Sequence, residues 1–326
     1  MRFAFTEDQL LFAAGLRDML SKECPPSRVR AVWDDGSGHD PALWAQLAEM
    51  GVLSMLVPES AGGMGGTEVD LVLLLEELGR AAVPGPVLET AAVVAPALVS
   101  SLEAGVSVIG TAALEPGPSG GVVTAPYVPH AQVAEVVLVP GGIVRTAGAT
   151  LTDVEGIDGG RRLYEVTGPV EAFAYDEDLA FDRGALAASA YLVGLSSWMI
   201  DTAAEYARQR EQYGRPIGVN QAVKHLLADA LLKVEFAKPA LYRAAWSVSV
   251  GEPTRSRDVS MAKCFASDAA ALVARKALQC HGAIGYTVEY DLHLSLKRVW
   301  ALAGAYGDAA HHRRRVADLV LGPLPS

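Results

Sequence analysis

Cysteine is scarce in this 326-residue chain: Cys24, Cys264 and Cys280 are odd in number, widely spaced and form no CxxC pair. That pattern excludes a disulfide framework and offers no zinc-ligand spacing, so the expectation is reduced thiols in a cytosolic compartment and no metal. Positive charge is scarce too. The formal net charge is -11 and no lysine- or arginine-rich run dominates, which argues against nucleic acid, whose phosphates need a basic face. "HHRRR" at 311–315 is the exception, and a short cationic stretch late in a helical segment faces solvent or offsets the helix dipole. His311 and His312 read as a solvated pair rather than a metal site. Long apolar runs are also missing: the longest, "AAVVAPALVSSL" (91–102), stops at Glu103, short of the roughly 18 to 20 residues of a membrane span. "MRFAFTEDQLLF" has acids where a signal peptide needs an apolar run.

What the chain does have is 51% hydrophobic content, enough for two or three globular domains with substantial cores. Thr6 with Gln9 forms a capping-box signature ahead of Leu10, Phe12, Leu16, Met19 and Leu20, which recur at helical spacing. Asp40-Pro41 is a cap followed by proline at the first helical position, and Gly51 stops that helix. A third helix starts at Thr67 and ends near Gly79. From about 105 to 182 the texture changes to short β-favouring runs, "VSVIG", "GVVTAPYV", "AEVVLVP", "RRLYEV" and "EAFAY", punctuated by Gly, Pro and Asp.

After Arg183 the helical period returns over about 185–212, 219–250, 257–281 and from 288 onward. Gly251-Glu252-Pro253 is the turn between two of these helices, with Ser256 or Asp258 as the next cap. The predicted fold is therefore α+β and multidomain: an N-terminal helical domain (1–104), a small, shortened middle β domain (105–182) and a C-terminal four-helix bundle (183–326).

Two stretches carry chemistry. In "YARQREQYGRPIGVNQAVKHLLADAL" (206–231), Arg210 falls in the last turn of one helix and Gln221 in the first turn of the next. A guanidinium beside exposed helix-start N–H groups suits a pyrophosphate. An arginine capping its own helix C-terminus explains the same facts. In "MAKCFASDAAALVARKALQCHGAIGYTVEYDLHLSLKRVW" (261–300), Gln279 lies near a helix end followed by Gly282 and Gly285. A solvated glutamine and a glycine cap with a turn are equally sufficient readings. His281 reads as structural, and Glu289 and Asp291 as acids favoured at a helix start.

Taken in order, these motifs resemble the acyl-CoA dehydrogenase family over nearly the whole sequence. "LAEMGVLSMLVPESAGGMGGTEVDLVLLLEELGRA" (47–81) and "ALEPGPSGG" (113–121) are similar to it as well. The resemblance implies an FAD cofactor whose isoalloxazine lies over the β domain of one chain. The adenosine diphosphate half is then held by a neighbour's bundle, at positions matching Arg210, Tyr213, Gln221, Gln279, Gly282 and Ala283. It also implies α-proton abstraction from an acyl thioester by a carboxylate, with hydride passing from the β carbon to the flavin.

Both family positions for that carboxylate lack one. "LAGAYGDAA" (302–310) places Tyr306 or Ala305 at the first, and Gly184 stands at the second. Asp308 reaches the substrate only if the turn is shifted; read locally, it is a cap for the final helix and Tyr306 is packing at a chain turn. The middle domain has Leu114-Glu115-Pro116 without the family's threonine, Ser119 out of register, and no tryptophan between Trp44 and Trp198.

The chain thus resembles the base-lacking subunit of actinobacterial heterotetrameric dehydrogenases acting on steroid side-chain CoA esters. That resemblance implies a homologous catalytic partner in an α2β2 assembly, one flavin per pair, and an electron-transferring flavoprotein as acceptor. Two alternatives stand beside it: a self-sufficient homo-oligomer using Asp308 as base, and a non-catalytic relative that binds a CoA ester or a protein partner.

Overall fold

A computed structural model describes residues 4–99, 108–114 and 121–322. The N-terminal region is helical: α1 (Glu7–Glu23), α2 (Pro26–Asp34), α3 (Pro41–Glu49) and α4 (Glu68–Arg80), then short α5 (Val87–Glu89) and α6 (Ala95–Leu98) joined by a π-helical turn, Thr90–Val94. The caps are those the sequence announces. The Thr6 hydroxyl accepts from Gln9 N–H while the Gln9 side chain accepts from Thr6 N–H, and Asp40 caps α3 ahead of Pro41. Thr67 and Asp70 close a second capping box, and Gln9 donates to Asp70 at 2.8 Å, tying α1 to α4.

Among the described residues seven strands form the middle region: β1 (Gly110–Ala112), β2 (Val122–Pro129), β3 (Val136–Val139), β4 (Gly142–Arg145), β5 (Thr150–Val154), β6 (Leu163–Pro169) and β7 (Glu171–Ala172). They make two sheets, β1-β3-β4-β7 and β2-β6-β5, in which only the β1–β3 pairing is parallel. The inner faces bury Val123, Val128, Val137, Val144 and Val166 as a separate small core. β4 and β5 escaped the sequence reading because each is bounded by glycine or threonine turns and lacks a run of β-branched residues long enough to stand out. The first two residues of "VSVIG" and most of the 113–121 motif lie outside the described residues.

The C-terminal region holds α7 (Glu177–Gln209), the small hairpin β8 (Glu211–Gln212) and β9 (Arg215–Pro216), α8 (Gln221–Ser249), α9 (Arg255–His281), α10 (Leu292–Gly304) and α11 (Ala309–Leu321). α7 begins at Glu177, inside the stretch assigned to the β domain, because Asp176 accepts from Leu179 N–H and starts the helix there. α9 is preceded by Thr254 rather than Ser256 or Asp258. Asp258 instead receives the Ser247 hydroxyl at 2.6 Å and guanidinium groups from Arg243 and Arg257.

The helical stretch from 288 onward is two helices, with Asp308 as the cap of the last, as its sequence position suggests. α7, α8, α9 and α10 form the bundle, and α11 packs on α9, with its Arg315 guanidinium meeting the fully buried Asp182 of α7 at 2.7 Å. Backbones approach closely where α4 crosses α7: a methyl on Gly194 would overlap the Glu76 carbonyl, and one on Gly79 the Tyr191 backbone.

Candidate functional site: a bundle end and a cleft

At one end of the bundle, α7 and α9 finish side by side and α8 begins. Tyr206 stacks on His281 at 4.5 Å between ring centroids, and His281 meets Tyr290 at 4.8 Å, so the last turns of α7 and α9 are locked together. His281 is buried, with Nδ1 2.8 Å from the Ala277 carbonyl, a structural role as read from sequence. Arg210 caps α7, donating its N–H to Tyr206, and its carbonyl accepts from Ile217 N–H across the hairpin, both at 2.8 Å.

Its guanidinium is exposed and makes no ion pair among the described residues, whereas Arg208 is occupied by Glu205 at 3.0 Å. Tyr213 is the first of two left-handed residues at the hairpin tip and is fully solvent-exposed. Gln221 opens α8, and Asn220 provides no side-chain cap to it, leaving the first N–H groups of a 29-residue helix directed outward. Gln279 and Ala283 are exposed beside this corner. Gly282 adopts φ 65°, and nothing lies within 4 Å of where its Cβ would be. Those features fit a diphosphate: an unpaired cation, uncapped helix N–H groups and a backbone stretch open to close approach.

The second feature is a cleft of about 490 Å³ between the β region and the bundle, walled by Leu114, Val123, Leu163, Phe181, Arg161 and Tyr306 among others. Among the described residues no carboxylate lines it. Tyr306 sits with φ 54° in the turn between α10 and α11. Its ring lies directly over Gly184, where any Cβ would overlap it. Gly184 and the turn carrying Ala305 and Tyr306, the two places where the resemblance leads one to expect a carboxylate, are therefore neighbours in space, with the tyrosine ring against Gly184. Burial, with Glu89 adding to it and Arg161 opposing, pushes the Tyr306 phenol well above its ordinary value, so it stays protonated. Gly184→Ala is expected to displace Tyr306 and lower the thermal midpoint by an amount matching ~1–3 kcal/mol of overpacking, as read by calorimetry.

Asp308 does not reach this cleft. It is exposed, caps α11 by accepting His311 N–H at 2.7 Å, and is held below the ordinary carboxylate range chiefly by that bond. His311 is exposed, but His312 is not the solvated residue expected. Its ring is fully buried, with Nδ1 3.1 Å from the Ser260 hydroxyl and Nε2 2.8 Å from the Tyr306 carbonyl. Lys263, also fully buried, donates to the carbonyls of Leu302, Ala303 and Gly307 at 3.0–3.2 Å. These two side chains hold the Tyr306 turn. Neither was legible from sequence, since their partners are main-chain carbonyls and serine hydroxyls, which no charge or motif pattern announces. Among the described residues no group of His, Cys, Asp and Glu could hold a metal.

Burial pushes His312 down to about 4, and His39, His130, His281 and His293 downward as well. A histidine kept neutral when folded loses its stabilising contribution as pH falls below the ordinary value of 6.5, because the unfolded chain takes up the proton first. Glu76, raised to about 7 by burial, acts in the opposite sense between 7 and 4.5, but it stands alone against five histidines. The thermal midpoint should therefore fall between pH 7 and pH 5. A midpoint that rises over that interval would contradict these burial assignments.

The sequence matches two profiles of one family: "Acyl-CoA dehydrogenase, N-terminal domain" over residues 6–102 and "Acyl-CoA dehydrogenase, C-terminal domain" over 175–321. The chain belongs to the acyl-CoA dehydrogenase family, whose members are FAD-dependent flavoproteins. It is 33% identical over 316 residues to acyl-CoA dehydrogenase IpdE2 of Mycolicibacterium smegmatis, covering 95% of this chain and 98% of that protein. It also resembles a chain of the ChsE4-ChsE5 complex from Mycobacterium tuberculosis, with a TM-score of 0.87, 26% identity and full coverage of both chains. The Tcur3481-Tcur3483 steroid ACAD is similar at a TM-score of 0.82 and 26% identity, over 97% of this chain and 98% of that one. No described helix is long and apolar enough to cross a membrane.

Proposed function

We propose that this chain is the base-lacking subunit of an FAD-dependent acyl-CoA dehydrogenase and lends its bundle end to the flavin of a homologous catalytic partner in an α2β2 assembly. The observation that carries the reading is an asymmetry within one chain. The bundle end keeps an Arg210 with no ion pair among the described residues, an α8 without a side-chain cap and an open Gly282, while the described lining of the cleft offers Ala305 and Tyr306 but no carboxylate. When bound, FAD accepts hydride from the β carbon of the acyl thioester. Toward it, the Arg210 guanidinium and the first N–H groups of α8 neutralise and orient the diphosphate, Gln221 and Gln279 offer amides alongside, and Tyr213, Gly282 and Ala283 shape the adenosine side.

The proton is taken by a carboxylate of the partner. The similarity to a two-protein complex and to a steroid ACAD supports a homologous partner and a steroid substrate; that the substrate is a side-chain CoA ester and the electron acceptor an electron-transferring flavoprotein is part of the proposal. Asp308 offers no competing base from its exposed, capping position. The test is dehydrogenation of a steroid side-chain CoA ester, followed by dye reduction, with this chain alone and after co-expression with a family sibling carrying an intact base. Turnover is expected only from the mixed complex. Equal turnover by the lone chain would overturn the reading.

A further inference from the structure

The cleft wall carries a charged pair for which neither the flavin contacts nor proton abstraction has a use. Arg161 closes the short loop from Asp158. Its N–H donates to the Asp158 carbonyl at 3.0 Å, Gly160 N–H donates to the Asp158 carboxylate at 3.0 Å, and a methyl on Gly160 would overlap Arg298 and Trp33. Held by that loop, the Arg161 side chain lines the cleft while only 9% exposed, with an Nη 2.6 Å from Oε1 of Glu89, which is fully buried. Glu89 ends α5 where the π-helical turn begins, the kind of distortion that re-aims side chains at functional sites.

The carboxylate oxygens of Glu89 have no aligned hydrogen bond, and neither do the buried hydroxyls of Tyr306 and Thr111. Glu89 is the one described side chain paired with the Arg161 guanidinium, whose remaining N–H groups are not committed to any described side chain. A buried ion pair is seldom kept for stability alone, and a guanidinium with N–H groups to spare at a cleft wall can serve an incoming acceptor.

We propose that this cleft binds an uncharged, carbonyl-bearing alicyclic or polycyclic group whose oxygen accepts a hydrogen bond from Arg161, with Glu89 as the fixed counter-ion. The charge balance selects the class. Glu89 already neutralises Arg161, so a ligand carboxylate would place a second negative charge beside a buried one, whereas a ketone oxygen meets N–H groups at no such cost. The remaining walls are mostly apolar, with Leu114, Val123, Ala125, Leu163 and Phe181 beside the hydroxyls of Thr124, Tyr127 and Tyr306, and the volume is that of an ordinary ligand cavity and large enough for fused rings. The inference rests on the acyl-CoA reading only for the kind of group expected, and not on the donated flavin site.

The experiment is calorimetric titration of the protein, alone and in complex with its sibling, with three bicyclic probes: a decalone, the parent decalin and a decalin carboxylate. The decalone should bind about tenfold or more tighter than either of the others, the increment of one hydrogen bond to a charged group. The double variant Arg161→Met/Glu89→Leu, which exchanges the ion pair for apolar side chains, should erase that preference. In the unmodified protein the carbonyl stretch of bound decalone should move to lower wavenumber than in an apolar solvent, a readout that needs no variant. Equal affinities, tighter binding of the carboxylate, a preference that survives in the double variant, or an unshifted carbonyl would each overturn the proposal. A complex that holds flavin yet shows no ketone preference contradicts this inference alone, and a chain that prefers the ketone but never completes a flavin site contradicts only the proposed function.

Discussion

Arg210→Ala should strip FAD from the mixed complex, weakening its binding by on the order of tenfold to a hundredfold while leaving the fold of this chain intact. The magnitude is that of a hydrogen bond to a charged group, and the guanidinium's bidentate fork places the effect toward the upper end. Stability should not follow, because the side chain is exposed and has no ion pair among the described residues; its structural work is done by the backbone, which bonds Tyr206 and Ile217. Arg208→Ala is the control, since that guanidinium is engaged with Glu205 on the same exposed helix end. Flavin retention measured by absorbance after gel filtration distinguishes the two. If both variants keep the cofactor equally, the bundle end does not hold the diphosphate.

Asp158→Asn should unfold or severely destabilise the chain, by about 3–5 kcal/mol, as removing one partner of a buried ion pair does. Arg298 of α10 is buried at 4% exposure and pairs with Asp158, which is 2% exposed in the loop before β6. The same guanidinium donates to the Val83 carbonyl at 2.9 Å, where the Tyr191 hydroxyl also donates. One arginine thus joins the bundle, the β region and the N-terminal helices. Burial alone would lower its pKa, but Asp158 outweighs that and raises it, so the charge persists and would be stranded by asparagine. Replacing both partners, Asp158→Leu with Arg298→Met, should recover much of the loss. A thermal midpoint unchanged by Asp158→Asn would contradict the role given to this pair.

Features written in local order were legible in the sequence. Thr6 with Gln9, Asp40 before Pro41, and the return of helical spacing after the β-rich stretch gave the three-part architecture because caps and periodicity are properties of a few adjacent residues. The bundle-end motif was legible for a similar reason: Arg210 and Gln221 flank one hairpin, and Gln279 and Gly282 end one helix. What the sequence hid were pairings between segments distant in the chain. Nothing near Gly184 announces that Tyr306 will cover it, nothing near Glu89 names Arg161, and the histidine of "HHRRR" that is buried, His312, looks in sequence like its exposed neighbour. The break after Gly304 was legible through Asp308, a cap residue for the final helix, and Tyr306 at a chain turn, because a cap too is a local signal. What stayed hidden is how the turn is held, by Lys263 and His312 reaching its carbonyls from α9 and α11.

The account turns on whether one chain completes another's flavin site. The most direct measurement is flavin stoichiometry, from the visible spectrum and native mass of this chain purified alone and after co-expression with its base-bearing sibling. The expected result is no retained flavin in the lone chain and about one FAD per pair of unlike chains in a four-chain complex. One FAD per chain in the lone protein would contradict the account.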